Sequence, residues 1–266
     1  MNAQSLLATI QNLSPSITPR APEIEAAREL PHDLLRDLIA AGCFRMFVPR
    51  THDGLQIDLP SGLKIFEALA RADGSTGWTV MIGAEAVMLL ALLPRRRFDA
   101  VYAGGPDLIA AGSFTPGGEA KVIDGGFEVT GRWPFASGCL HSKWLLANCV
   151  VTENGHPRPG PAPGVPETRF VVFPTKQAQI LDTWFVSGLR GTGSNDIAVE
   201  KIRVAYDDSF DRFSSVARRT SLYDSSPLQR RLRDIHTFSQ HISVADRWLT
   251  RTGAFLVGKD PGFGVA

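Results

Sequence analysis

The chain is poor in cysteine, with three in 266 residues: Cys43, Cys139 and Cys149. An odd count with no CxxC spacing excludes a disulfide framework and points to a reducing compartment. Surplus charge is absent too. Lys and Arg number 28 against 27 Asp and Glu, for a net charge of +1, and Arg far outnumbers Lys. No basic face for nucleic acid or an anionic membrane is expected. The longest apolar run, Val87 to Leu93, falls far short of the ~20 residues that span a bilayer. The N-terminus has no basic segment followed by an apolar core. A soluble, cytoplasmic protein with no metal site, no nucleic-acid partner and no membrane partner is the expectation. P-loop and nucleophile-elbow sequences are missing. Gly188-x-x-Gly191-x-Gly193 has the wrong glycine order for a dinucleotide fingerprint, and no helix is predicted after it.

What the chain does have is hydrophobic content, 44%, enough for a substantial core in one large domain or two smaller ones. Residues 1–102 read as helical. Leu34, Leu35, Leu38 and Ile39 recur at helical spacing, with Pro31 at the helix start and Gly42 at its end. Asp73-Gly74-Ser75-Thr76-Gly77 breaks the chain and caps an apolar helix predicted from Trp78 to Leu93. Pro94 opens a short Arg-rich helix. From 103 to 210 the period changes to that of strands. Lys121–Ile123 and Phe127–Trp133 form a predicted hairpin about Asp124-Gly125-Gly126. Trp144–Val151, Phe170–Phe173, Ala178–Trp184 and Ile197–Val204 are further predicted strands, and Glu153–Glu167 is a Pro- and Gly-rich exposed loop. Residues 211–266 read as helical again, with a stripe through Leu228, Leu232, Ile235, Ile242, Ala245 and Leu249. The fold class is therefore α+β: an N-terminal helical domain, a central antiparallel β-barrel or sandwich, and a short C-terminal helical segment. This order excludes an alternating βαβ sheet.

Two glycine-bounded segments in the β region, Gly131–Gly138 and Gly188–Asp196, combine aromatic or Arg side chains with hydroxyls and small residues. That mixture suits a pocket for a flat ring with a polar edge. Trp133 and Phe135 offer apolar walls, Ser113, Thr115 and Ser137 offer hydrogen bonds, and Gly138 permits close backbone approach. On residue types alone, a β-core with an ordinary Trp and turn glycines explains the same segments at least as well. Arg190 with Ser194, Asn195 and Asp196 reads equally as a phosphate contact or as internal loop hydrogen bonding.

Five segments occur in one order: Ala72-Asp73-Gly74-Ser75-Thr76-Gly77-Trp78; Gly112-Ser113-Phe114-Thr115-Pro116-Gly117-Gly118; Gly131 to Trp144; Trp184 to Asp196; and Ser226-Pro227-Leu228-Gln229-Arg230-Arg231-Leu232-Arg233-Asp234-Ile235-His236. Together they resemble the acyl-CoA dehydrogenase superfamily, especially its flavin-dependent monooxygenase branch of two-component aromatic hydroxylases. The resemblance implies a flavin (FMN or FAD, supplied reduced by a partner reductase), a small aromatic or hydrophobic substrate and a homo-oligomer. It implies flavin contacts from Ser113, Phe114, Thr115, Trp133, Phe135, Ser137, Gly138, Arg190 and Ser194. It also implies an orienting, catalytic role for Ser137 and for His241, which matches a histidine near the reactive flavin position. At ~100° per residue His236 and His241 point about 140° apart, so His241 is preferred.

The match departs from the family in two places. Where some hydroxylases carry a His in the long N-terminal helix, this chain has Gly83-Ala84-Glu85; Glu85 either replaces that histidine's function or, as the preferred expectation, is an interhelical or solvated carboxylate. Between Asp208 and Leu222 the family places a four-helix bundle of roughly a hundred residues, and here barely a dozen residues lie between. The resemblance thus implies a chain lacking most of that bundle. Two alternatives follow: an FAD-dependent acyl-CoA dehydrogenase with Asp224 near the base position, and a non-catalytic remnant.

Overall fold

The computed structural model describes residues 1–211, and the expected C-terminal helix with His236 and His241 lies outside the described residues. The helical region consists of α1 (Ala3–Ile17), α2 (Ala21–Ala27), α3 (His32–Ala41), α4 (Leu59–Ala72), α5 (Gly74–Leu90) and α6 (Arg95–Val101). Local chemistry sets their ends. Asn2 and Ser5 form a reciprocal capping box on α1, with both bonds at 2.9 Å. Pro31 leads into α3, and Gly42, at φ +89°, ends it in the left-handed region. Asp58 caps α4 and Asp73 caps α5.

Asp73 accepts from the Thr76 amide at 2.6 Å and from its hydroxyl at 2.7 Å, so α5 begins at Gly74, four residues before the expected Trp78. Gly77 therefore sits inside the helix. A Cβ there would come 2.7 Å from the Ala70 backbone, because α4 and α5 pack closely at this point. α5 is apolar nearly all round in sequence, but it buries one broad face, through Thr76, Val80, Ala84 and Val87, and leaves the stripe from Trp78 to Leu89 less covered. Ion pairs from Arg96 to Asp207 and from Arg97 to Asp208 fasten α6 to the far end of the sheet region.

Helix gives way to strand between Gly104 and Ala110. The strands are β1 (Ala110–Ile123), β2 (Gly126–Trp133), β3 (Trp144–Glu153), β4 (His156–Pro157), β5 (Thr168–Pro174), β6 (Gln179–Leu181), β7 (Asp196–Ala205) and β8 (Ser209–Phe210). They form one sheet in the order β6-β7-β2-β1-β3-β5-β8, with β4 paired to β3. The expected hairpin joins β1 and β2, in register from Ile123↔Gly126 to Gly118↔Gly131.

The pairing is not purely antiparallel as expected, because β1 and β3 run parallel. The connection after β2 crosses to the other side of β1, and a strand antiparallel to β2 placed there must run parallel to β1. The sheet's apolar face forms a single core from Phe127, Val129, Leu145, Val151, Phe173 and Ile197, which come from strands on both sides of β1. β6 is shorter than the predicted Ala178–Trp184 strand, since the chain leaves the sheet after Leu181.

Candidate functional site

A cavity of about 280 Å³ opens between one face of α5 and the start of β1. α5 contributes Trp78, Ile82, Glu85, Ala86 and Leu89, whose spacings of four, three, one and three residues place them on a single helical stripe. β1 contributes Ala110 through Thr115, the β2–β3 connection gives Phe135 and Ser137, and Leu146 and Phe170 close the floor. Phe114 is 53% exposed and Phe135 64% exposed, so two aromatic rings stand at an open mouth. Five of the expected site residues meet here: Ser113, Phe114, Thr115, Phe135 and Ser137.

The β1 side of the cavity is irregular for a definite reason. Ladder pairing with β3 shifts register between Ser113 and Gly118, freeing the intervening backbone from its strand partner. Asn148, opposite the gap, donates from its side-chain amide to the Phe114 carbonyl at 2.8 Å. The sequence reading missed Asn148, and the only signal for it was a polar residue in an apolar strand. It likewise missed the α5 stripe, whose signal was the helical spacing of Trp78, Ile82, Glu85 and Leu89.

Ser137 is fixed by a chain of side chains. The Trp78 indole donates to Ser137 Oγ at 3.0 Å; Ser137 and Ser194 hydroxyls share a bond at 2.7 Å, and so do Ser194 and Thr192. Thr192 then donates to the Leu189 carbonyl at 2.8 Å. The two glycine-bounded segments are thus joined, and backbone bonds from Gly138 to Thr192 (2.8 Å) and from Ala136 to Asn195 (3.1 Å) reinforce the union. Ser194 is buried behind Ser137 and is not in the cavity lining.

Trp133 requires a correction. It is fully buried in the sheet core and donates its indole N–H to the Asn148 carbonyl at 2.6 Å. Its ring lies across the registered pair Gly118 and Gly131; a Cβ on Gly118 would come 2.1 Å from the ring, and one on Gly131 2.8 Å. Those glycines make room for Trp133, so Trp133 is outside the cavity lining. Gly138 adopts φ +74° at a turn and Arg190 sits on the Arg190–Thr192 turn, and neither lines the cavity. Gly191 allows that turn to meet α2, since its Cβ would come 2.1 Å from Ile24. Asn195 accepts from the Thr183 and Trp184 amides at 3.0 Å each, and Asp196 pairs with Arg132 at 2.7 Å, so both hold the loop. The Arg190 Nε is buried with no hydrogen-bond partner among the described residues.

Glu85 departs from the preferred expectation of an interhelical or solvated carboxylate: it lines the cavity, where a residue replacing the family's histidine would stand. Burial raises its carboxyl from the ordinary 4.5 to about 7, because the charged form is poorly solvated there. Elsewhere, burial pushes the Cys43 and Cys139 thiols up to about 12, which leaves them protonated at neutral pH. Among the described residues no cluster of His, Cys, Asp and Glu could hold a metal ion.

An apolar slot with hydroxyls on one rim and backbone released from its ladder fits a flat ring with a polar edge. Residues 5–93 match the acyl-CoA dehydrogenase N-terminal domain. The chain is 36% identical over 203 residues to the flavin-dependent monooxygenase oxygenase subunit HsaA of Mycobacterium tuberculosis, across 76% of this chain and 50% of that protein. It is 33% identical to the indole-3-acetate monooxygenase of Pseudomonas putida, across 73% of this chain and 47% of that protein. The crystal structure of the M. tuberculosis HsaA monooxygenase superposes with a TM-score of 0.74 at 34% identity, covering 79% of this chain and 56% of that one. The chain spans about half the length of the curated relatives it matches. With its helical domain, its mixed sheet and these matches all in agreement, the chain belongs to the acyl-CoA dehydrogenase superfamily.

Proposed function

We propose that this chain is the flavin-facing part of a reduced-flavin monooxygenase that oxygenates a small aromatic or hydrophobic substrate. Reduced FMN or FAD would come from a separate reductase, and homo-oligomeric assembly belongs to the same proposal. The observation that carries the reading is the cavity itself, where Ser113, Phe114, Thr115, Phe135 and Ser137 meet the α5 stripe. The names of relatives point the same way, among them the FADH(2)-dependent resorcinol hydroxylase oxygenase component of a Rhizobium strain, 30% identical.

When bound, the reduced flavin would supply the electrons and the centre at which oxygen is activated. The chain's own residues bind and orient it. Ser113, Thr115 and Ser137 present hydroxyls to the ring edge, with Ser137 aimed by Trp78 and Ser194. Phe114 and Phe135 flank the ring. Ile82, Ala86 and Leu89 give α5 an apolar wall that excludes water from one side of the cavity. Arg190 is assigned to the flavin phosphate, and His241 to the reactive edge of the ring. The test is anaerobic titration of the purified chain with reduced and oxidised FMN and FAD, followed by fluorescence. Saturable binding of a reduced flavin at roughly 10 μM or tighter is expected. Failure of all four forms to bind would overturn the reading and favour the non-catalytic remnant.

A further inference from the structure

Among the described residues, Glu85 is the one titratable side chain that lines the cavity. The other lining residues from α5 are Trp78, Ile82, Ala86 and Leu89, and β1, the Phe135–Ser137 connection, β3 and β5 contribute no titratable side chain to the lining. Among the described residues, Glu85 has no recorded hydrogen bond or ion pair, and burial is the only influence displacing its titration, with no charged neighbour contributing. Four other carboxylates of the fold are used differently. Asp73 caps α5, Asp107 pairs with Arg45 at 3.0 Å, Asp182 with Arg28 at 2.6 Å, and Asp196 with Arg132 at 2.7 Å. A carboxylate held away from water without a counter-charge destabilises the protein. Either a proton or a ligand cation can relieve that cost. The part of the cavity beside it that is not assigned to the flavin, lined by Ile82, Ala86, Leu89, Leu146 and Phe170, is apolar.

We propose that Glu85 makes this cavity selective for small aromatic ligands that carry a cationic amine, its carboxylate pairing with the ammonium while the ring occupies the apolar end of the cavity beside it. The inference rests on the reading of this cavity as the flavin-facing site and names the class of substrate taken next to the flavin ring. Aryl carboxylates are disfavoured by the same charge, which separates this chain from a relative named for indole-3-acetate. The ammonium–carboxylate pair is expected to tighten binding about tenfold or more relative to a neutral contact.

The experiment is calorimetric titration of the purified chain at pH 8 with 2-phenylethylamine, 2-phenylethanol and 3-phenylpropanoate. The amine is expected to bind about tenfold or more tightly than the alcohol, with the carboxylate weakest. Glu85→Gln, nearly the same shape, is expected to erase the difference between amine and alcohol. In the unaltered chain, amine affinity is expected to rise from pH 5 to pH 8 as Glu85 loses its proton while the amine keeps its own. That second measurement needs no variant. Equal affinity for amine and alcohol, survival of the preference in Glu85→Gln, or no binding of any probe by a chain that retains reduced flavin would overturn the proposal. Selective amine binding by a chain that fails to bind flavin would leave the amine selectivity standing and overturn the monooxygenase reading instead.

Discussion

Ser137 and Trp133 lie four residues apart and do opposite work. Ser137 ends a run of hydroxyls that begins at Thr192, and its Oγ also receives the Trp78 indole N–H. Ser137→Ala removes one partner from each of two bonds and leaves the Ser194 hydroxyl and the Trp78 N–H to find others. A stability loss of about 1–2 kcal/mol in denaturant unfolding is expected, with reduced-flavin affinity down about tenfold. An unchanged affinity would remove Ser137 from the site. Trp133 spans two glycines in the core and satisfies the Asn148 carbonyl. Trp133→Phe is expected to cost about 2 kcal/mol or more, from the lost bond and the void it leaves. Flavin affinity should hold in the folded fraction, and a loss at matched foldedness would put Trp133 back against the ligand.

At the scale of elements, the cavity depends on how closely α5 approaches α4 and on a strained connection after β2. Gly77→Ala would press a methyl toward the Ala70 backbone at 2.7 Å, where no flexible side chain can yield. The helices must separate, at a cost of about 2 kcal/mol or more. A variant that unfolds at the unaltered denaturant midpoint would refute that packing. Phe135 adopts φ +62°, in the left-handed region, while its ring stays largely exposed. Relief of this strain in Phe135→Gly, ~1 kcal/mol, is offset by the greater freedom of glycine in the unfolded chain. Stability should change by less than about 1 kcal/mol, whereas flavin affinity should fall with the missing wall. The strain thus persists at a residue that the fold does not need for its core.

For the molecule as a whole, two partly buried groups titrate against each other. Glu85 is raised to about 7, so between its ordinary 4.5 and that value the folded chain holds the proton and the unfolded chain does not. Stability therefore falls as pH rises through that window. His141 is lowered to about 4 by burial and by the nearby His32, and its Nε2 accepts from the Leu30 amide at 3.2 Å. Its contribution is present above 6.5 and is lost as pH falls toward 4. The two slopes oppose each other over the shared range. Glu85→Gln removes one of them, so its stability advantage over the unaltered chain should grow from near zero at acid pH to about 3 kcal/mol above neutrality. Denaturant unfolding at several pH values checks this, and a pH-independent difference would contradict it.

Periodicity and punctuation in the sequence determined the order of helices and strands. Asp73, Pro31, Gly42 and the Asp124–Gly125 turn act through bonds and backbone angles confined to a few residues, so they are legible without the fold. Ser113, Phe114, Thr115, Phe135 and Ser137 are named through the resemblance to a flavin-binding family, since their residue types alone are explained equally well by an ordinary β-core. Only the tertiary structure decided which neighbour each residue meets. It moved Trp133 into the core by laying it over glycines that belong to two different strands. It made the β1–β3 pair parallel through a crossover whose side no local pattern encodes. It turned Glu85 toward a cavity, because the orientation of a helix that is apolar all round is set by the surfaces that cover it.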